Sequence, residues 1–207
     1  IAETMESIEE EDQADLLEQM SPERAADVLE EMPPEEAADA LAAIEDERAE
    51  EILAQMDPEA AEDVRELLAY EGDTAGGLMS PNFTSVNVTD TVNDALIELR
   101  SKRPDREEIY YVYVLDDEEH LVGILSLRDL VVNEPETPVA ELMETGVAHV
   151  RTTDEEETVR DLMLRESLLI LPVIDDENKM VGVVSVTDAV EHVVAQSWQH
   201  RLRRMLG

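Results

Sequence analysis

Residues 112–131 read VYVLDDEEHLVGILSLRDLV, and residues 171–190 repeat the same pattern as LPVIDDENKMVGVVSVTDAV. In each copy an apolar run, an acidic turn, a second apolar run and a helical pattern follow one another. Two apolar runs joined by a short polar turn are typical of a β-hairpin. The repeat therefore predicts two copies of one α/β unit in this chain.

The duplication extends toward the N-terminal side of each copy. Gly77-Leu78-Met79 precedes the first copy as Glu141-Leu142-Met143 precedes the second, and residues 91–96 (TVNDAL) match residues 158–163 (TVRDLM). Each copy is thus predicted to contain a strand, a helix, a strand, an acidic turn, a strand and a helix. The two copies are placed at residues 71–136 and 137–195.

Each copy carries a G-x-x-S-x-x-D motif where its last strand enters a helix, as residues 123–129 and 182–188. A serine hydroxyl and the first amides of a helix can bind phosphate, and an aspartate can accept hydrogen bonds from ribose hydroxyls. Serine and aspartate at that position can also cap the helix, so the residues alone leave both roles open. The candidate nucleotide-binding residues are Ser126, Arg128 and Asp129 in the first copy, and Ser185 and Asp188 in the second.

The two motifs differ in one position that matters for phosphate. The first copy has Arg128, which adds a cation, where the second has Thr187. We therefore expect the first copy to be the stronger site.

The first 70 residues contain a different repeat, with a period of twelve. Four units read SPERAADVLEEM, PPEEAADALAAI, EDERAEEILAQM and DPEAAEDVRELL, over residues 21–68. Three of them begin with a cap residue or proline followed by acids, which is a helix start signal, and all have apolar residues at helical spacing. Helices of about two turns are unstable alone, so they must stack. We predict a small α-superhelix over residues 1–70.

The composition is strongly acidic, with 53 Asp and Glu against 15 Lys and Arg and a net charge of −38 in 207 residues. Such a field repels phosphate backbones, which excludes nucleic-acid binding. Lys102 and Lys179 are the two lysines among the 15 basic residues, a bias typical of salt-adapted proteins, in which carboxylates hold water and cations at the surface. An acidic protein from an ordinary cell is the alternative to this halophilic source.

Other function classes find no support. The chain has no cysteine, so it has no disulfide and no thiolate metal site, and no stretch of it is apolar enough to span a membrane. The four histidines, at positions 120, 149, 192 and 200, show no paired ligand spacing. No residue set indicates catalysis, so no catalytic residue is predicted.

Residues 70–81, YEGDTAGGLMSP, lie between the helical repeats and the first α/β copy, and Gly76 and Gly77 are typical of a flexible linker. This stretch is similar to the one that joins the N domain to the first CBS domain in the MgtE family of magnesium transporters. The duplicated unit resembles a CBS domain, and the pair resembles a Bateman module. The twelve-residue repeats also look like the MgtE N domain, so the resemblance covers essentially the whole chain.

The resemblance implies an α + α/β fold in four parts. These are an N-terminal α-superhelix at residues 1–70, a first CBS domain at 71–136, a second at 137–195 and a connecting helix at 196–207 toward a membrane domain. It also implies a homodimer through the CBS domains and a place on the cytoplasmic face of the cell membrane, beside the protein's own transmembrane pore.

The resemblance further implies the cytosolic Mg²⁺-sensing region of a magnesium channel, closed by Mg²⁺ ions that bridge the N and CBS domains. The cofactors it implies are Mg²⁺ and ATP, the latter bound and not hydrolysed. Its metal-ligand candidates are Asp73, Asp175, Asp176, Asp188 and Glu191. The connecting segment departs from the family, because residues 196–200 (QSWQH) are not acidic.

Two other readings stay open. A free-standing CBS sensor of adenine nucleotides or ions, without a membrane part, would have the same domains. An enzyme acting on nucleotides is the third reading, and it would require nucleotide turnover.

Overall fold

The computed structural model describes residues 10–104 and 108–186. Five short helices come first: α1 Glu10–Gln19, α2 Pro22–Leu29, α3 Pro34–Ala42, α4 Asp46–Leu53 and α5 Pro58–Leu67. Helices two apart in sequence pack on each other, α1 on α3, α2 on α4 and α3 on α5. This is the stacking that a superhelix of short helices requires.

Prolines at the helix starts and the spacing of apolar residues explain where these helices form. Proline occupies the first turn of α2, α3 and α5, where its missing N–H costs nothing, and Asp57 accepts a hydrogen bond from the Glu59 amide at 3.0 Å. Helices α2 to α5 bury residues at three- and four-residue spacing, for example Ala25, Val28 and Leu29 in α2. The twelve-residue repeat is therefore one helix and one turn per unit.

Each α/β copy forms a three-stranded sheet. The first contains α6 Ala75–Leu78, β1 Ser85–Asn87, α7 Val92–Lys102, β2 Tyr111–Leu115, β3 Leu121–Ser126 and α8 Leu127–Val132. The second contains α9 Val139–Leu142, β4 Val150–Arg151, α10 Glu156–Glu166, β5 Ile170–Ile174 and β6 Met180–Ser185. In both, the first strand runs parallel to the second and the third antiparallel to it. The predicted fold class, a helical N domain followed by two CBS units, is confirmed.

The helices of the two copies match in a different register from the one that the sequence suggested. The N-cap residue of α7 is Thr91 and that of α10 is Glu155, so Thr158 is not the counterpart of Thr91. A shift of three residues is close to one helical turn, so the apolar pattern looks the same in both registers. The strands match as the sequence predicts, with irregularities at the equivalent pairs Val114/Leu115 and Val173/Ile174.

The two copies exchange the segments that precede them. Ser80 exchanges backbone hydrogen bonds of 2.8 and 2.9 Å with Val183 of the second copy. Glu144, which precedes the second sheet, does the same with Ile124 of the first, at 2.9 and 3.0 Å. Each sheet is thus extended by an arm from the other copy. We call residues 75–80 the first arm and residues 139–144 the second arm.

The first arm is part of the core and is not a flexible linker. Its α6 is buried, including Gly76 and Gly77. The Gly76 amide donates to the Thr152 carbonyl at 2.9 Å, and a Cβ on Gly76 would lie 2.6 Å from the Tyr70 ring. The expectation that these glycines provide flexibility is wrong, because the close approach of neighbouring chain segments is what requires them.

The expected connecting helix at residues 196–207 lies outside the described residues. Within the described part of the chain, no helix is long and apolar enough to cross a membrane.

The motif glycines allow us to test the arm exchange. A Cβ on Gly182 would lie 2.8 Å from Met79 Sδ and 2.8 Å from the Ser80 carbonyl oxygen, whereas one on Gly123 would meet the Met143 side chain, with Sδ at 2.6 Å. Because methionine can move and a backbone oxygen cannot, we expect Gly182→Ala to cost about 1–3 kcal/mol of unfolding free energy and Gly123→Ala less. Urea unfolding measures both. A larger loss from Gly123→Ala would contradict this packing account.

Candidate functional site

The first G-x-x-S-x-x-D motif caps α8. Ser126 Oγ is hydrogen-bonded to Asp129, and the Asp129 amide donates back to Ser126 Oγ at 3.2 Å. The Ser126 amide donates to Asp129 Oδ2 at 3.2 Å, so the two residues form a reciprocal capping box. In this structure, therefore, both side chains already have a role in the fold.

Arg128 stands apart from this capping box. Its side chain is 79% exposed, and its NH1 group lies 3.7 Å from Asp129 Oδ1. An exposed cation held so loosely contributes little to folding. Of the three candidate nucleotide residues in the first copy, Arg128 is the one whose side chain is free to bind an anion.

The second motif is described only in part. Ser185 ends β6 and pairs with Ile170 across the sheet. Asp188 lies outside the described residues, as does Glu191, so the structure does not show where either carboxylate is. The other metal candidates lie in two places.

Asp73 lies in the exposed turn before α6, where its backbone carbonyl accepts from the Glu156 amide at 3.0 Å. Asp175 begins the second acidic turn, and its Oδ1 accepts from the Glu177 and Lys179 amides at 2.8 and 2.9 Å. Asp176 follows it and is exposed. Asp175 thus shapes the turn, and Asp176 is free to contact solvent or an ion.

The second acidic turn faces the end of the N domain. The pKa of Tyr70, which follows α5, is raised by burial and then by the negative charges of Glu66, Asp175 and Asp176. The Tyr70 phenol therefore lies within electrostatic reach of one carboxylate of the N domain, Glu66, and of two carboxylates of the second CBS copy, Asp175 and Asp176. Even so, in residues 10–104 and 108–186 no three acidic or histidine side chains converge to hold a metal ion.

The two acidic turns also contact each other. Both have the same form, since Asp116 accepts from the amides of Glu118 and His120 as Asp175 does in its own turn. His120 pairs with Lys179 in an isolated antiparallel bridge, and Lys179 Nζ lies 3.2 Å from Glu119 Oε2. The sequence shows the two turns but not this contact, because it depends on how the copies face each other.

His120 lies between acceptors of both turns. Its Nδ1 is 3.1 Å from Asp116 Oδ2 and 3.7 Å from Glu118 Oε2. The pKa of His120 is raised by the hydrogen bond to Asp116 and by the charge of Asp116. The carbonyl of Glu177 and the charge of Glu118 also raise it, whereas partial desolvation lowers it. A protonated imidazole donates from both nitrogens, so it satisfies both turns.

A group of acids that the sequence analysis did not single out lines a pocket of about 490 Å³ beside β1, among them Asp90, Asp94 and Asp116. Each has a structural partner. Asp90 accepts from the Asn87 amide at 2.8 Å, Asp94 completes the capping box of α7, and Asp116 holds its turn. This pocket therefore gives no separate evidence for a metal site.

Comparison with known proteins covers nearly the whole chain. Residues 1–73 match the family model of the MgtE intracellular N domain, and residues 75–134 and 139–195 match that of the CBS domain. The chain is 44% identical over 141 residues to the magnesium transporter MgtE of Thermus thermophilus, and 39% identical over 128 residues to that of Enterococcus faecalis. These matches span 67% and 62% of this chain but 31% and 28% of the relatives.

Two solved structures agree with the fold. One is the cytosolic domain of the Mg²⁺ channel MgtE in complex with ATP, with a TM-score of 0.86 and 41% identity over 92% of this chain and 78% of that chain. The other is the soluble part of a magnesium transporter, with a TM-score of 0.85 and 36% identity over 94% of this chain and 77% of that one. Similarity of this extent covers both the helical domain and the CBS pair.

The contact between the acidic turns predicts a pH dependence. Because the folded-state pKa of His120 is raised above its ordinary value of about 6.5, its contribution to stability is full below that value and is lost as pH rises through the raised pKa. Urea unfolding between about pH 6 and pH 9 should therefore show a loss of stability that His120→Gln abolishes.

The control is His149→Gln, because Nδ1 of His149 lies 3.0 Å from the Val147 carbonyl of its own segment and makes no contact with either acidic turn among the described residues. An NMR titration of the His120 ring gives the pKa directly. If that ring titrates at or below the ordinary value, the contact between the turns does not depend on its proton.

Proposed function

Because the chain belongs to the MgtE family of magnesium transporters, we propose that it is the cytosolic region that senses Mg²⁺ and gates a magnesium pore. The curated relatives are transporters of which this chain spans about three tenths, and the similar solved structures are cytosolic parts of such proteins. Its role is regulatory and not catalytic, and it acts at the cytoplasmic face of the membrane. The domain boundaries at residues 70/71, 136/137 and 195/196 stay a prediction.

The proposed mechanism is closure of the N domain onto the CBS pair by bridging Mg²⁺. Residues 1–70 carry 25 acids and 3 bases, a charge of −22, which leaves 28 acids and 12 bases, or −16, in the rest. Mg²⁺ keeps several of its waters and needs only one or two carboxylates, so it can bridge two acidic surfaces. A closed state that binds Mg²⁺ more tightly than the open state is then populated as the ion concentration rises.

The observation that carries this proposal is the position of the second acidic turn. Asp175 and Asp176 lie close enough to Tyr70, at the end of the N domain, for their charges to raise its pKa, and Asp73 precedes the first arm. Asp188 and Glu191 complete the proposed ligand set from the segment that follows β6. Ions at this junction would draw the N domain and the second CBS copy together.

A free-standing CBS sensor is the second candidate, since its domains would be the same. The full-length reading frame distinguishes the two, because apolar spans following Gly207 would identify a transporter. Their absence there would favour the free-standing sensor.

We propose that ATP binds at the first motif without being hydrolysed. The related MgtE cytosolic domain was solved with ATP, and here the exposed Arg128 beside Ser126 and Asp129 supplies a cation for the phosphates. Ser185 and Asp188 form the corresponding site of the second copy, which lacks this arginine.

We also propose a homodimer through the CBS domains. Val131 and Val132 on α8 are 69% and 61% exposed, and Leu164 on α10 is 68% exposed. Large exposed apolar side chains on helices of both CBS copies support an interface between two copies of the chain. A sedimentation-equilibrium mass that is monomeric, and unaffected by Val131→Asp, would contradict it.

The acidic, lysine-poor composition supports a halophilic source. In about 1 M salt the Debye length falls to about 3 Å, so the repulsion among these carboxylates is screened. We expect the N domain, which concentrates charge on a small core, to melt first when KCl is lowered to about 0.05 M. A melting temperature that does not change across this range would contradict the proposal.

Mg²⁺ sensing can be tested in high salt, where only direct coordination survives screening. We expect Asp73→Asn with Asp176→Asn to raise the Mg²⁺ concentration at the midpoint of compaction by about tenfold, or about 1.4 kcal/mol. Small-angle scattering in about 1 M KCl follows the radius of gyration. Asp175 is left intact because its carboxylate holds the turn.

The matched control is Asp27→Asn with Glu31→Gln, which removes the same charge from exposed positions of the N domain. Glu30 is unsuitable because it accepts a hydrogen bond from the Asp57 amide at 2.5 Å. If both double variants shift the midpoint equally, a diffuse ion atmosphere and not a set of sites senses Mg²⁺.

The nucleotide proposal rests on Arg128, which can be changed without touching the α8 cap. Arg128→Gln should weaken ATP binding about tenfold by calorimetry and leave adenosine binding unchanged, because the lost contact is to phosphate. The control is Arg100→Gln, which removes an arginine from α7 and leaves the first motif intact. Unchanged ATP affinity in Arg128→Gln would show that the nucleotide does not use the first motif.

A further inference from the structure

Met143 is the last apolar anchor of the second arm. Its side chain packs against the core of the first CBS copy, so close to Gly123 that a Cβ there would lie 2.6 Å from Met143 Sδ. The next residues, 144–146, are exposed. At this end of the arm, Met143 is joined by the two backbone hydrogen bonds between Glu144 and Ile124. The contact of one thioether with one glycine therefore covers those hydrogen bonds on the protein side.

The first arm makes the same contact, but it is sealed from solvent. A Cβ on Gly182 would lie 2.8 Å from Met79 Sδ. Met79 is 3% exposed and is followed by the buried Ser80, whereas Met143 is partly exposed and is followed by exposed residues. Of two equivalent thioethers, a solute in the surrounding water can thus reach one and not the other.

The other methionines make Met143 stand out further. The structure describes two methionines that are partly exposed, Met143 and Met20, and Met20 lies at the end of α1 in the N domain. The remaining described ones are buried: Met32, Met56, Met79, Met163 and Met180. Because the chain has no cysteine, no thiol competes with these thioethers for an oxidant.

We propose that Met143 is an oxidation site and that its sulfoxide releases the end of the second arm from the first CBS sheet. The oxidant is a peroxide, and the chemistry is the conversion of a thioether to a sulfoxide. A lone pair of Met143 Sδ attacks one peroxide oxygen, an S–O bond forms and the O–O bond breaks. The other oxygen leaves as water with both protons of hydrogen peroxide. The sulfur loses two electrons and the peroxide gains them.

The polarity of the product explains the release. A sulfoxide is polar, so leaving it against Gly123 without a hydrogen-bond partner is unfavourable. Since the Met143 side chain is flexible and already reaches solvent, it turns outward and uncovers the bonds between Ile124 and Glu144. The start of the arm stays in place, because Val139 is buried and its amide donates to the Asp90 carbonyl at 3.0 Å.

Oxidation thus loosens one of the two contacts that join the CBS copies, the one made by the second arm, and leaves the first arm attached. Reduction of the sulfoxide restores the contact, as a methionine sulfoxide reductase does for exposed sites. The reaction requires neither Mg²⁺ nor nucleotide, so it is separate from the gating proposed above.

The test exposes the full chain to hydrogen peroxide and ranks the oxidised methionines by mass spectrometry of peptides. We expect Met143 to react about tenfold faster than Met79, because reactivity follows exposure. Amide hydrogen exchange, followed by NMR, should then become about tenfold faster at Ile124 and Glu144. Exchange at Val139, and at Ser80 in the first arm, should stay unchanged.

Three variants separate Met143 from its background. Met143→Leu keeps an apolar side chain of similar size without the sulfur, so peroxide should no longer change exchange at Ile124 and Glu144. Met20→Leu, which removes the other partly exposed thioether, should leave the peroxide effect intact. Met143→Gln places a polar group at the contact and should speed exchange at both amides about tenfold without any oxidant.

Three results would overturn the proposal. The first is oxidation of Met143 no faster than that of the buried Met79. The second is unchanged exchange at Ile124 and Glu144 in a chain whose Met143 is fully oxidised. The third is a peroxide effect on these two amides that persists in Met143→Leu, which would assign it to another residue.

Discussion

The structure depends on the close approach of each arm to the sheet of the other CBS copy. Met79 of the first arm lies against Gly182, and Met143 of the second arm lies against Gly123. These contacts, with the backbone bonds of Ser80 to Val183 and of Glu144 to Ile124, join the two copies into one body. A side chain at either glycine would push the arm away, so the glycine of the G-x-x-S-x-x-D motif has a packing role before any role in binding.

Local features of this fold are well predicted from the sequence, and long-range ones are not. Prolines and acids at the helix starts, apolar spacing and the acidic hairpin turns all act within a few residues, and all appear in the structure as expected. The arm exchange is invisible because it joins segments about a hundred residues apart, such as Ser80 and Val183. The packing of Gly76 was missed for the same reason, since one of its close neighbours is the distant Thr152 carbonyl, whereas Gly77 is confined by Glu71 and Gly72 nearby in the sequence.

The candidate site shows why abundance of acid is a poor guide to ion binding. Asp175, Asp116 and Asp129 look equally available in the sequence, yet each accepts hydrogen bonds from nearby residues and shapes a turn or a helix start. The residues left for function are the exposed ones that the fold does not use, such as Asp176 and Arg128. The contacts of Asp188 and Glu191 stay predictions, because both lie outside the described residues.

The arm exchange also constrains the order in which the chain can fold during its synthesis. The first CBS sheet is complete only when the second arm, residues 139–144, has emerged from the ribosome, and the first arm gains its partner only with Val183. Domains usually fold as units from the N-terminus onward. Here the two CBS copies must instead finish folding together and late, while the helical repeats, whose contacts are local, can fold early. The nascent chain therefore exposes the edge of the first sheet until residue 144 has been made, and the first arm stays unpaired until the last strand, β6, has been made.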